Sequence, residues 1–529
     1  MSARNTLKVS AAVMASRVLG LAREVVFAGL FGGTRWTDCF VIAYKIPNLL
    51  RDLFAEGALS QAFVTTFSKS LKIEGEQAAW QLANRMMTLT AVFMGIITAI
   101  GILIAPWIVE LLMLLTHAEA TERSRDPEEF ALTVTMVRIM YPFILLVSLA
   151  ALVMGMLNAK SVFFVPALSS CFFNLGAILG GVGIGWWIDP EWGPQSLLGF
   201  AIGVVIGGAA QLVFQFPSLW RAGFQFAADF QWRDTRVAKI LSLMVPAVIA
   251  ASIVQVNVMI NAMFAFGVGE GAPSWLNYSF RLMQLPIGVF GVAVATVTLP
   301  ALARAATHGI SSDFLPTLTK GLRLVMFLVL PSMLGLICLA EPIVSVIYER
   351  GEFTAETRSQ TAIALQAYGI GLLFYSALKV LQPAFYAIDK RWLPMISSII
   401  ALFVNIGLNY LFVFVFGWGH AALALTTSIV AAANFMFLYF AMRHFAGDPG
   451  SRAILGLLVK LALAAAAMSA ICLGGQAWLL EDPGAVSWPA RATALAAIIA
   501  AAAITYLGLT RVLRVEEFTE TLNLLKRRA

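Results

Sequence analysis

About fourteen apolar runs of roughly twenty residues, separated by short polar loops, restrict this chain to one kind of fold. They centre near Leu19, Leu53, Ile97, Leu145, Leu175, Val205, Val254, Val292, Val329, Leu373, Phe403, Ile429, Ala466 and Ala500. A bilayer offers the backbone no water, so every N–H and C=O must be satisfied within the segment, which a helix does. The runs are too long for barrel strands, which need about ten residues. Of the 529 residues, 60% are hydrophobic and 12% charged, against about 25% charged in a soluble domain. The expectation is an all-α polytopic membrane protein of about fourteen transmembrane helices.

Charge placement reads as topology. The net +7 comes from 36 basic and 29 acidic residues. The basic ones gather in alternate loops, at Lys69 and Lys72, Lys160, Arg221 to Lys239, Arg304, Lys320, Lys390, Arg443 and the tail. The opposite loops hold Glu119 to Glu129, Asp189, Glu270, Glu341, Glu352 and Glu481. Lysine and arginine favour the cytoplasmic side, so both termini are expected there. The first apolar segment contains arginines and lacks a small-residue cleavage site, so it is expected to stay as a helix. Cys39, Cys171, Cys338 and Cys472 lie singly in apolar segments, without zinc or redox spacing.

The chain repeats itself. A shift of 236 residues takes Lys45 onto Arg281, Phe54 onto Phe290 and Pro106 onto Pro342. Lys160, Pro166 and Asn174 match Lys390, Pro394 and Asn405 with small gaps. Six helices per repeat preserve orientation, which predicts two six-helix lobes about a pseudo-twofold along the membrane normal. The expected division is an N-terminal lobe over 1–225, a C-terminal lobe over 226–450, and a helix pair with a basic tail over 451–529. That pair is alanine-rich, which permits close packing.

The first segment carries Arg17 and Arg23, and the second Asp38, Lys45, Arg51, Asp52 and Glu56. A charge at mid-bilayer costs about 2.5–3.5 kcal/mol on insertion scales. The bland account has each arginine snorkelling to the headgroups or pairing with a local acid. Four arginines, counting Arg281, in three helices of two lobes favour a cleft that receives an anion. Arginine's planar fork suits phosphate or carboxylate. Pro47 and Pro286, with Gly288 and Gly291, place helix breakers beside these charges. No nucleophile elbow, phosphate loop, zincin motif or basic-aromatic nucleic-acid surface stands out. The acids on the second segment are expected to pair with arginine rather than to catalyse.

The run Ser16-Arg17-Val18-Leu19-Gly20-Leu21-Ala22-Arg23, with Thr37-Asp38 and Lys45-Ile46-Pro47-Asn48-Leu49-Leu50-Arg51, resembles the MurJ (MviN) lipid II flippase family of the multidrug/oligosaccharidyl-lipid/polysaccharide exporter superfamily. Phe54 through Val64, and Ser274-Trp275, Tyr278, Arg281 and Pro286, extend the similarity, which covers essentially the whole chain. The resemblance implies two lobes in a V and a C-terminal pair bordering a groove for a lipid tail. It implies a transporter rather than an enzyme; no cofactor and no metal site is expected in this chain. Its substrate-binding positions fall on Arg17, Arg23, Asp38, Arg51 and Arg281, with Ser16, Asn48, Glu56 and Ser274 also matching. Asp52, Phe280, Gln284 and Thr65 depart from the family pattern and alter the acid–base balance of the cleft.

The expected partners are a lipid-linked anionic substrate (lipid II), membrane lipids and other cell-wall synthesis proteins, around a monomer and without nucleic acid. Alternatives are a flippase for another lipid-linked oligosaccharide, a cation-coupled exporter and a non-transporting scaffold. Some family members are thought to bind sodium in the second lobe. Here Asn405 and Asn409 share a helix face and Asn257 lies in helix 7, but no acid joins them.

Overall fold

The computed structural model describes residues 3–53, 60–114, 126–479 and 487–519. Two compact units divide the chain, Met1–Ser274 and Trp275–Ala529. Described residues form helices and no strand. Eleven of these helices, some broken by a short turn, are long and apolar enough to cross a membrane, and Val254–Val268 is a shorter apolar stretch. The other expected crossings, near Leu19 and Leu53, fall on or beside helices diluted by their charges, and Leu53 borders undescribed residues. The polytopic all-α expectation therefore stands, without a fixed count of fourteen.

The first unit comprises α1 (Ala3–Phe31), α2 (Arg35–Arg51), α3 (Ser60–Ile73), α4 (Glu76–Leu114), α5 (Pro127–Met140), α6 (Pro142–Ala159), α7 (Phe164–Ile188), α8 (Leu197–Val213), α9 (Phe216–Arg221) and α10 (Thr235–Val268). After the single residue Tyr141, Pro142 starts α6 at its first position, where its missing N–H costs nothing. Helices α7 and α8 meet through glycine. A Cβ on Gly199 would stand 2.2 Å from the Gly185 nitrogen, and one on Gly203 2.6 Å from the Gly181 nitrogen. Gly199, Gly203 and Gly207 recur every four residues, so one bare stripe lets the two backbones touch. At the end where α3 and α4 join, Phe63, Phe67, Leu82, Met86, Met156 and Phe224 form a closed apolar core. Phe224 lies edge-on to Trp80, with centroids 5.6 Å apart.

The helix α11 (Ala272–Pro286) begins in the first unit and continues into the second. The second unit then holds α12 (Val292–His308), α13 (Leu315–Cys338), α14 (Ala340–Tyr348), α15 (Ala355–Ala387), α16 (Trp392–Asn409), α17 (His420–Ala446), α18 (Ser451–Leu479) and α19 (Trp488–Val512). A π-helical turn at Ile287–Gly291 separates α11 from α12. It coincides with the expected breaker cluster after Pro286, where a missing N–H loosens the ladder. The terminal pair is pinned to its unit. The Tyr506 hydroxyl donates to the Phe327 carbonyl at 2.8 Å. At one end of α19, Arg491 Nη1 meets Glu349 at 2.7 Å and the Trp488 indole donates to the Val346 carbonyl at 2.9 Å. Beyond the other end, Glu516 pairs with Arg323 at 2.9 Å.

Candidate functional site

Helix α1 carries its charges on a scaffold set by α7. Asn174 donates from Nδ2 to the Ser16 carbonyl at 3.2 Å and to the Ser170 carbonyl at 3.1 Å. A Cβ on Gly20 would meet that amide at 3.6 Å, an ordinary contact. One turn on, Arg23 is mostly buried and bonds Glu24 at 2.8 Å. The Phe173 ring centroid is 5.4 Å from its guanidinium carbon and that of Tyr44 6.0 Å. Aromatic faces attract a cation electrostatically, so the site is built to hold positive charge. Arg17 is exposed and forms no ion pair with a described residue.

Helix α2 starts where Thr34 caps it by accepting from the Thr37 N–H. At its far end Arg51 bonds the next residue, Asp52, through Nε at 3.1 Å and Nη2 at 2.9 Å. Gln255 of α10 donates to the other Asp52 oxygen at 3.2 Å. Asn48 is half-buried one turn earlier, and its carbonyl accepts the Asp52 N–H. Two site arginines thus carry a carboxylate at the next position in sequence.

Asp38 is fully buried and serves another helix. Its carboxylate accepts the Gly271 N–H at 2.8 Å, the Ser274 N–H at 3.1 Å and the Ser274 hydroxyl at 2.7 Å. These donors belong to the turn before α11 and to its first turn. The first N–H groups of a helix lack partners within it and favour negative charge, so Asp38 acts as a cap supplied from elsewhere in the fold. Gly271 sits at φ +82, which glycine tolerates. Arg281 follows Ser274 by seven residues, two turns along the same face of α11, and is half-buried. Around this cap, Arg35 pairs with Asp126 at 3.1 Å and Glu129 at 3.8 Å, and its backbone N–H donates to Glu270 at 3.2 Å.

Among the expected site residues, then, Asp38 and Ser274 are brought into contact. Arg23 and Arg51 each take an adjacent acid, and Ser16 lies where α7 grips α1. Glu56 lies outside the described residues, as do residues 119–125 of the acidic loop. At the departures from the family pattern, Phe280 packs edge-on against Tyr368 with centroids 5.5 Å apart, while Gln284 and Thr65 are exposed. Sequence reasoning missed Glu24, Gln255 and Gly271. An acid beside an arginine in an apolar run was the readable signal for Glu24; the other two had none.

In the second unit Asn409 donates to Asn405 Oδ1 at 3.1 Å, and the Thr426 hydroxyl donates to Asn409 Oδ1. The buried amides thereby satisfy one another. Among the described residues no cluster of three His, Cys, Asp or Glu could hold a metal ion.

A family model described as "Lipid II flippase MurJ" matches residues 27–489. This chain belongs to the MurJ lipid II flippase family. A Vibrio cholerae relative named "Probable lipid II flippase MurJ" is 35% identical over 510 residues, covering 96% of this chain and 95% of that protein. One from Burkholderia cenocepacia, named "Lipid II flippase MurJ", is 35% identical over 476 residues, covering 89% and 90%. A solved structure described as "Lipid II flippase MurJ, inward closed conformation" shares the fold with a TM-score of 0.76 at 24% identity, over 96% of this chain and 99% of that one. An inward-facing multidrug resistance transporter of the MATE family shares it at 0.66 and 12% identity, over 85% and 98%. The family expectation from the α1–α2 motif is met. The chain is a multi-pass inner-membrane protein of a transporter family.

Proposed function

We propose that this protein flips lipid II, the undecaprenyl-pyrophosphate-linked peptidoglycan precursor, from the cytoplasmic to the periplasmic leaflet. The observation that carries the reading is the placement of Arg23 and Arg51 within helices α1 and α2 of a chain 35% identical to named lipid II flippases. A pyrophosphate leaving water needs fixed cations in its place, and guanidinium forks match its oxygens. In this reading Arg17, Arg23, Arg51 and Arg281 form a cationic cleft for the pyrophosphate, with Ser16, Asn48 and Glu56 contributing polar contacts.

Asp38 and Ser274 hold the entrance to α11, and with it Arg281, in position. The lobes 1–225 and 226–450 alternate in exposing the headgroup to the two sides. The polyprenyl tail never leaves lipid, and helices α18 and α19 guide it. Both termini face the cytoplasm, and the chain works as a monomer alongside other cell-wall synthesis proteins.

The deciding experiment is depletion in a bacterium that depends on this chain, with chemical identification of the lipid that accumulates. Lipid II held in the inner leaflet is the expected result. Accumulation of a different lipid-linked oligosaccharide, with lipid II turnover unchanged, would overturn the assignment in favour of that cargo.

A further inference from the structure

The segment after α9 is neither membrane-crossing nor loose. From Gly223 to Asp234 it is strapped onto the third and fourth turns of α4. Asn84 donates to the Gln225 carbonyl at 3.1 Å and accepts the Ala227 N–H at 3.2 Å. The Asp229 N–H donates to the Thr88 hydroxyl at 3.1 Å. Arg85 binds Asp229 at 2.8 Å and also Asp234, which Arg236 holds at 2.6 Å. With Leu219 and Phe224 buried beneath, the strap turns Phe226 and Phe230 outward, at 56% and 64% exposure, and Trp220 at the end of α9 is exposed just before it.

Helix α4 gives the depth of this strap. Its exposed large apolar side chains run from Val92 to Leu111. That is about 28 Å along a helix, close to the roughly 30 Å of a hydrocarbon core. Thr88, which holds Asp229, lies about 6 Å beyond the apolar edge at Val92, and Asn84 about 12 Å beyond it. The headgroup layer adds about 5–7 Å on each side. Phe230 therefore sits within that layer, whereas Phe226, level with Asn84, lies about 5 Å outside it. Helix α10 agrees: its exposed apolar residues begin at Leu241, past the charged positions.

The charge at this level is one-sided. Both acids of the strap, Asp229 and Asp234, are consumed by Arg85 and Arg236. Arg221, Arg233 and Lys239 are exposed and form no ion pair with a described residue. We propose that this strap is a docking surface for anionic phospholipid headgroups, with Phe230 seated in the interface and these three cations meeting lipid phosphates. Aromatic rings and basic side chains are the pair of groups that a headgroup layer accepts. Each cation near an anionic surface strengthens attraction by about fivefold before screening by salt.

The test uses the full chain with its four cysteines replaced and Ala228→Cys labelled with an environment-sensitive dye. Vesicles of phosphatidylcholine are compared with vesicles containing phosphatidylglycerol. The expected result is a blue-shifted emission in the anionic vesicles that high salt reverses. The shift should be lost when Arg221, Arg233 and Lys239 are all changed to glutamine. A second arm needs no label: the phosphatidylglycerol retained by the purified wild-type chain, relative to phosphatidylcholine, should exceed that of the triple variant by about fivefold or more. Thermal unfolding confirms that the variant keeps its fold. Identical emission in both lipids, or equal lipid retention by the two proteins, overturns the proposal and leaves the surface for a protein partner.

Discussion

Replacing Asp38 by alanine removes a cap from a helix that Asp38 does not belong to. The carboxylate accepts two backbone N–H groups and one hydroxyl, at 2.8, 3.1 and 2.7 Å. Gly271 and Ser274 are buried, so water does not replace it. Two orphaned buried N–H groups cost about 1–3 kcal/mol each. Relief from burying a carboxylate offsets part of that, which leaves roughly 2–3 kcal/mol of destabilisation. Asparagine should cost less. With Oδ1 toward Ser274 it keeps both bonds there, and only the Gly271 N–H then faces an amide that cannot accept. The expected order of stability is wild type, Asp38→Asn, Asp38→Ala.

Cys39 is buried beside this position and serves as the reporter. Unfolding in detergent is followed by a thiol-reactive dye, and the midpoint should fall by several degrees for alanine. Ser274→Ala should be partly redundant with Asp38→Ala, with a coupling of about 0.5–3 kcal/mol in the double-mutant cycle. Identical midpoints for wild type and Asp38→Ala, or strict additivity of the two changes, would refute the capping argument.

Three further outcomes are expected. Gly199→Ala would put a methyl 2.2 Å from a backbone nitrogen of α7, so α7 and α8 must separate; a loss of about 1–3 kcal/mol or more should show as a lowered midpoint and reduced membrane yield. Arg23→Ala, Arg51→Ala and Arg281→Ala should each abolish complementation at normal expression, with lysine rescuing only in part because it lacks the fork; full complementation by all three alanine variants would remove the cationic mechanism. The Asp234 carboxyl is held down to about 2 by its bonds to Arg236, against its burial, with the Arg236 N–H and Arg85 adding to the effect. Because this folded value is depressed, its contribution is fully present above the ordinary carboxylate range and fades as pH falls toward 2, so the midpoint difference between wild type and Asp234→Asn should be constant from pH 5 to 8 and shrink below about pH 4.

The fold class was legible because it rests on one-dimensional information. An apolar run of twenty residues needs no partner to declare itself, and each of the eleven apolar crossings contains one expected centre. What escaped was set by contacts distant in sequence or made by backbone. Asp38 stood out as an intramembrane acid, and pairing with arginine was the natural expectation. It also accepts from main-chain and hydroxyl groups more than 230 residues away, for which no side-chain pattern exists. The strap on α4 escaped for the same reason: Arg85 and Asp229 are 144 residues apart. Alanine content pointed to close packing in the terminal pair, and the glycine stripe that brings α7 and α8 into backbone contact was not singled out.

The charged contacts of the first unit fall into two kinds with different consequences for movement. Arg23–Glu24 and Arg51–Asp52 each join neighbours on one helix. A rigid motion of α1 or α2 carries both partners of each pair together, so such a motion need not break them. On the proposed reading, an anionic headgroup at these arginines would compete with a carboxylate one residue away. Contacts that join different elements behave otherwise. Asp38 to the first turn of α11, Arg35 to Asp126, and Arg85 to Asp229 are each lost if the elements part. Of these, the Asp38 cap is the one that leaves buried backbone donors bare on opening, so it bears the largest cost per contact. A conformational cycle that opens this end therefore needs a replacement partner for Gly271 and Ser274, and admitted water is the one that an opening would supply.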